Sequence, residues 1–203
     1  MACGLSSLDR TEHAARQAFE QVAEQLPQGP ASANVAFVFF SSAHVGQAGL
    51  VASAARAELP NATIVGCSAE SVVGGAIELE DRPGISVLAC SMPGADVRAF
   101  GLSQLAGIDP GNPNQVERVR DLAGMTHEHR ATLLLPDPFG LPTGRIMAAV
   151  DKASRLGLAD DEQPVTLGGL ASAENTAGGN AFLLDGQVIR DGGVGLSING
   201  AVT

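Results

Sequence analysis

The sequence predicts an α/β protein in which mixed β-sheets carry helices layered on them, arranged as two similar halves from an internal duplication. Three observations lead there. Unalternating apolar runs at 35–40 (VAFVFF), 63–65 and 131–135 read as strands covered on both faces. Stretches of helical spacing join the first run to the second, and the third to the strand that begins at Val165, which makes strand–helix–strand units. A glycine-broken stretch with an appended hairpin then occurs twice, at 63–88 and again from Thr166. Matching Gly66 to Gly169 gives an offset of about 103, and Gly74 to Gly178 about 104, the signature of a repeat. On that basis residues 33–100 and 130–200 are expected to superpose.

Taken in order, residues 2–6 open as a short strand. Asp9 or Thr11 is positioned to cap a helix whose stripe is Ala15, Phe19, Val22 and Leu26, and Pro27, Gly29 and Pro30 stop it. The strand 35–40 leads through Ser41, Ser42, Ala43 and His44 into an alanine-rich helix over 47–59. Next comes TIVGCSAESVVGG, with a strand at 63–65, a break at Gly66 and a kink at Gly74-Gly75. A turn at Arg82-Pro83-Gly84 precedes a strand at 85–89, and 97–102 reads as an edge strand. Residues 104–113, rich in Gly, Pro and Asp, read as a linker between halves 1–103 and 114–203 of one domain.

The second half repeats the order. Residues 115–125 read as a helix and 131–135 as a buried strand. The loop from Pro136 to Pro142 is stiff, and Thr143 is a candidate cap for a helix over 145–156. The acidic loop 160–162 is expected to be solvated. The Asp185-Gly186 pair between apolar runs is a strong hairpin signal for 182–189, and the last strand is 194–198.

Composition narrows the function. The chain has 203 residues, 45% hydrophobic but only 3% aromatic, with no Trp or Tyr. Twelve Lys+Arg against 22 Asp+Glu give a formal charge of −10. Nucleic acid is therefore not an expected partner, because it needs basic surface and stacking platforms. Three cysteines in no C-x-x-C pattern fit a reducing, cytoplasmic setting. Cys90 is expected in the core, with Cys67 the more reactive thiol. No apolar run reaches about eighteen residues, and the N-terminus passes directly into charge, so neither a membrane span nor a signal peptide is expected.

Loops that leave the ends of buried strands are where ligands collect in α/β sheets. Ser41, His44, Cys67, Ser68, Glu70 and Asp137, with Ser172 and Asn180 from the repeat, are the candidate ligand-binding residues. The competing reading is that they serve as turn and cap residues. An enzyme reading would use Cys67 or Ser68 as nucleophile, His44 as base and Asp137 as orienting acid. Against it, Glu70 replaces the last glycine of a G-x-S-x-G elbow, and the next residues, 71–75, are β-like rather than helical. No H-x-x-x-H spacing, P-loop or G-x-G-x-x-G occurs, so neither a metal nor a nucleotide is expected. His13 reads as a surface residue, and His127 and His129 as solvated.

The segments FVFFSSAH, LPNATIVGCSAESVVGG, LLLPDPF, LGGLASAENTAGGN and FLLDGQVIRDGGVGLSI together resemble the N-terminal domain of the FIST family, over residues 2–202. The resemblance implies a sensory domain attached to signal-transduction proteins, binding small ligands of the amino-acid class. It implies a C-terminal FIST domain as usual companion, for which this chain leaves no room, and a kinase- or cyclase-type output partner. No cofactor is expected, with haem held through His44 as the alternative.

Overall fold

The computed structural model describes residues 1–158 and 163–200, so the acidic loop 160–162 lies outside the described residues. Two sheets face one another, each with its own pair of helices on the outer side. The first sheet contains β1 (Ala2–Ser6), β2 (Val35–Ser41), β3 (Thr63–Ala69) and β6 (Ile85–Cys90), in the order β1-β6-β2-β3. Only β2 and β3 run parallel. Helices α1 (Thr11–Gln25) and α3 (Ala48–Glu58) cover it, and a single turn, α2 (Ser42–Val45), follows β2. The second sheet contains β7 (Ala95–Gly101), β8 (His129–Pro136), β9 (Val165–Gly168) and β12 (Gly193–Gly200), in the order β7-β12-β8-β9. Again only one pair, β8 with β9, is parallel. Helices α4 (Pro113–Ala123) and α5 (Thr143–Arg155) cover it. Strand order and strand senses are the same in both sheets.

Alternation along the strands explains the layering. In β2, Val35, Phe37 and Phe39 face the other sheet, while Ala36, Val38 and Phe40 pack under α1 and α3. In β12, Val194, Leu196 and Ile198 point between the sheets. The run VAFVFF thus has no polar face because both its faces are covered. The Ser197 hydroxyl turns the other way and donates to the Ala123 carbonyl of α4.

The two-residue turns of two hairpins complete the chain. Strands β4 (Val72–Gly74) and β5 (Ile77–Leu79) form a separate two-stranded ribbon. The expected kink at Gly74-Gly75 is therefore a reversal, with Gly75 at φ 61°. Strands β10 (Phe182–Leu184) and β11 (Gln187–Ile189) share the same plan, and their turn, Asp185 at φ 49° and Gly186 at φ 83°, suits an Asp-Gly pair. This second hairpin does not stay with its own sheet. It crosses to the first and pairs antiparallel with β3, setting Leu183 opposite Gly66.

Register corrects the sequence landmarks. Gly66 lies beside Val38, and Gly168, not Gly169, lies beside Leu134. A Cβ on either glycine would run into the carbonyl of that neighbour, 2.8 Å from its carbon. The hairpin turns correspond at Gly75 and Asp185, not at Gly74 and Gly178. Strand β7 already belongs to the second sheet, so the change of sheet falls between Cys90 and Ala95. The stretch 104–113 packs instead with the second helical layer, where Leu105 and Ile108 are buried.

Capping differs from expectation as well. Arg10 stands at the N-cap of α1, and Thr11 spends its hydroxyl on His44. Thr143 is the first residue of α5 and supplies no cap bond, whereas Asn112 caps α4 by accepting from Asn114 N–H at 3.1 Å.

Candidate functional site

Parallel strands β2 and β3 end side by side, and the chain leaving them forms a cleft of ≈400 Å³. Ser42 and Ala43 line it from α2, Glu70 from the end of β3, and Asp81, Arg82 and Pro83 from the β5–β6 turn. Ala173, in the loop before β10, closes it from the second half of the chain. A ≈250 Å³ extension, lined by Ser71 and Glu80, shares Glu70 and Asp81. Asp81 sits at φ 52°, a conformation that side chains other than Gly, Asn and Asp resist. The wall thus carries three carboxylates and one guanidinium around a cavity of small-metabolite size.

The expected site residues fall into distinct places. Glu70 lines the cleft. Ser68 and Asn180 meet behind it, both fully buried, with the Ser68 hydroxyl donating to Asn180 Oδ1 at 2.9 Å. Ser68 Oγ also accepts from Ala181 N–H at 3.1 Å, and Asn180 Oδ1 accepts from Glu174 N–H at 3.1 Å. Ser172 donates its N–H to the Ser68 carbonyl at 3.2 Å and accepts at Oγ from Glu70 N–H at 3.0 Å. These four residues form a seam that fastens the second half's loop to the end of β3. Ser68 and Asn180 position the wall, and Glu70 presents the charge.

Ser41 and Asp137 occupy matching places in the two sheets. Their N–H groups donate to the carbonyls of Gly84 at 2.8 Å and Gly192 at 3.0 Å. Ser41 Oγ accepts from Gly84 N–H at 2.9 Å, which ties β2 to the turn carrying Arg82. The Asp137 carboxylate, 1% exposed, accepts from Phe139 and Gly178 N–H groups at 3.2 and 3.3 Å. It does not line the cleft.

His44 is fully buried. Its Nδ1 lies 2.9 Å from Thr11 Oγ1, and Nε2 has no partner among the described residues. Burial lowers its pKa, against a smaller opposing pull from Asp9. Because the ring is enclosed and borders neither part of the cleft, it does not fit axial ligation of haem iron, which needs open space at a ring nitrogen. Cys67 is 3% exposed between the sheets, where burial pushes its thiol up to about 12. This reverses the expected reactivity: Cys90 is only half-buried, and Cys67 is the inert thiol. Of the residues in the enzyme reading, Ser68, His44 and Asp137 each bond elsewhere, and Cys67 is buried between the sheets. All three cysteines are free, and no cluster of three metal-ligating side chains occurs among the described residues.

His129, expected to be solvated, is 1% exposed. Its Nδ1 lies 3.2 Å from Asn199 Oδ1 and its Nε2 3.0 Å from Thr132 Oγ1. Sequence reading missed Asp81 and Arg82 as cleft residues, because Arg-Pro-Gly reads as a turn. A cluster of four charges at 78–82 was the signal available. No helix among the described residues is long and apolar enough to cross a membrane.

Two curated relatives show how the chain sits among known proteins. An uncharacterized protein of Mycobacterium tuberculosis H37Rv, Rv0628c, is 27% identical over 98% of this chain and 47% of its own length. An uncharacterized protein of Mycobacterium bovis, Mb0898c, is 27% identical over 92% of this chain and 43% of its own. The chain thus spans about half the length of the curated relatives it matches. The FIST N domain model matches residues 34–203, which include every strand of both sheets except β1 and every wall of the cleft. The chain belongs to the FIST N domain family, a family of sensory domains of signal-transduction proteins.

Proposed function

We propose that this domain senses a small zwitterionic metabolite of the amino-acid class, bound where β2 and β3 end. The observation that carries this reading is the paired charge on one cleft wall: Arg82 for a carboxylate, Glu70 and Asp81 for an ammonium group. The site is also placed to report occupancy. Ala173 and Ser172 come from the second half of the chain, Glu70 and Arg82 from the first, and the Ser68–Asn180 seam joins them. A ligand bridging both walls would favour one relative placement of the halves, which a kinase- or cyclase-type partner could read. A reducing, cytoplasmic setting belongs to the same reading and is supported by three unpaired thiols. Duplication of one unit is the origin we infer for the two sheets. Related sequences aligned half against half should then repeat in the register that sets Gly66 against Gly168, and a repeat at other registers only would refute it.

Calorimetric titration of the twenty amino acids into the wild type and into Glu70→Gln tests the site. At least one should bind the wild type. Loss of the counter-charge at constant size should weaken it by about 1.5–3 kcal/mol, roughly tenfold or more, with the melting temperature unchanged. Binding that is indifferent to Glu70→Gln and Arg82→Gln places the ligand elsewhere. No binding at all removes the amino-acid reading.

A further inference from the structure

Strand β9 closes the second sheet as an open edge and, among the described residues, lacks the devices that guard other edges of the molecule. At β1, Gln21 and Gln25 of α1 occupy the free main-chain groups. Their Oε1 atoms accept from Leu5 and Cys3 N–H at 2.9 and 3.2 Å, and their Nε2 groups donate to the carbonyls of the same two residues. Strand β7 exposes Asp96 and Arg98. Residues 164–171, by contrast, contain no charge, and Val165, Leu167 and Leu170 are 55%, 49% and 54% exposed. An apolar, uncharged edge is a template for strand pairing. Beneath it lies a groove of ≈460 Å³, bounded by Leu134, Thr166, and Thr143 and Met147 of α5. Thr166 Oγ1 is buried there with no partner among the described residues.

The first sheet shows how such a groove is filled. One row of neighbours crosses it as Gly4, Val87, Val38, Gly66 and then Leu183 of the β10–β11 hairpin. Leu183 is fully buried among the residues packed under α3, with Val188 beside it. The hairpin turn is held by Asp185 N–H donating to the Ile64 carbonyl at 2.7 Å. The same row in the second sheet runs Phe100, Gly195, Leu134, Gly168, and stops. Thr166 stands where Ile64 stands.

We infer that in the longer polypeptides of this family β9 is covered by a β-hairpin of the β10–β11 kind. It pairs antiparallel with β9 and puts an aliphatic side chain opposite Gly168. The part of the polypeptide that this chain does not span supplies it, since the matched part is only 47% and 43% of the relatives. The β4–β5 hairpin of a second copy is a poorer occupant. Its Val73 carbonyl accepts from Ser86 Oγ at 2.6 Å, and Gly74 is seated on Leu5, so β4 is turned into its own sheet.

Amide hydrogen exchange on this chain and on full-length Rv0628c tests the inference. In this chain 165–170 should exchange at least about tenfold faster than 63–69. In Rv0628c the segment aligned with 165–170 should be as protected as the one aligned with 63–69, at every protein concentration. Replacing the residue aligned with Leu167 by Asp should release that protection, and with it the protection of a segment in the unmatched half. Slow exchange of 165–170 in this chain, or fast exchange of its counterpart in Rv0628c, overturns the inference. So does protection that fades on dilution as a dimer becomes a monomer, which would assign the edge to a second copy.

Discussion

Two buried imidazoles, His44 and His129, should make this molecule sensitive to acid. Burial is the largest influence on both His44 and His129, and it lowers both pKa values from the ordinary 6.5. For His129 the Asn199 hydrogen bond opposes the shift, and Arg120 and Arg130 add to it. A group whose folded-state pKa is depressed binds protons more readily when unfolded, so acid favours the unfolded chain. Stability should be level above roughly pH 7 and should fall as pH drops through about 6.5 and below. Melting temperature measured from pH 8 to pH 5 checks this. The acid slope should shrink in His44→Gln and again in the double variant with His129→Gln. A slope unchanged in the double variant would place the acid sensitivity in other groups.

At the scale of elements, the two glycines on β3 and β9 hold equivalent places in the two sheets. Only hydrogen fits between paired parallel strands at Gly66 and Gly168, each hard against the carbonyl of its neighbour. Alanine at either position must push a strand away, at a cost of about 3 kcal/mol or more. Gly168 has φ 153°, which adds strain for any side chain. Urea unfolding should therefore show Gly66→Ala and Gly168→Ala both severely destabilised, with Gly169→Ala nearly neutral because a Cβ there meets only open space. A severe Gly169→Ala would contradict the register. The glycine-rich character of both stretches was legible in the sequence. Which glycine matched which was not, because loops of different length come after the two strands and only cross-strand pairing fixes the frame.

For the whole molecule, the β10–β11 hairpin is the clasp. It arises in the second half, pairs with β3 of the first, and buries Leu183 under α3, while Arg56 reaches Asp185 at 2.6 Å. Phe182 contributes to the layer between the sheets. Leu183→Ala should cost about 2–5 kcal/mol, yet unfolding should remain one transition, because sheet-to-sheet packing still joins the halves. Calorimetry with separate probes on the two sheets checks it. Two resolved transitions in the wild type would show that the halves are independent.

The sequence by itself determined most of the elements, the mixed sheets under helices, the hairpin at 182–189 and the family, because periodicity, glycine breaks and turn chemistry are local. It also marked the strand ends around Ser41, Ser68 and Glu70 as the place to look. Tertiary structure alone decided what each of those residues does there. Ser68 and Asn180 lie 112 residues apart and satisfy each other, so their hydroxyl and amide hold the wall together. Asp81 and Arg82 enter the cleft because the β5–β6 turn folds over the end of β2, and Ser41 fixes that turn through Gly84. The crossing of β10–β11 to the first sheet was equally out of reach. A hairpin's sequence specifies its turn and its apolar face, but the edge it covers depends on which groove of the folded molecule is left unfilled.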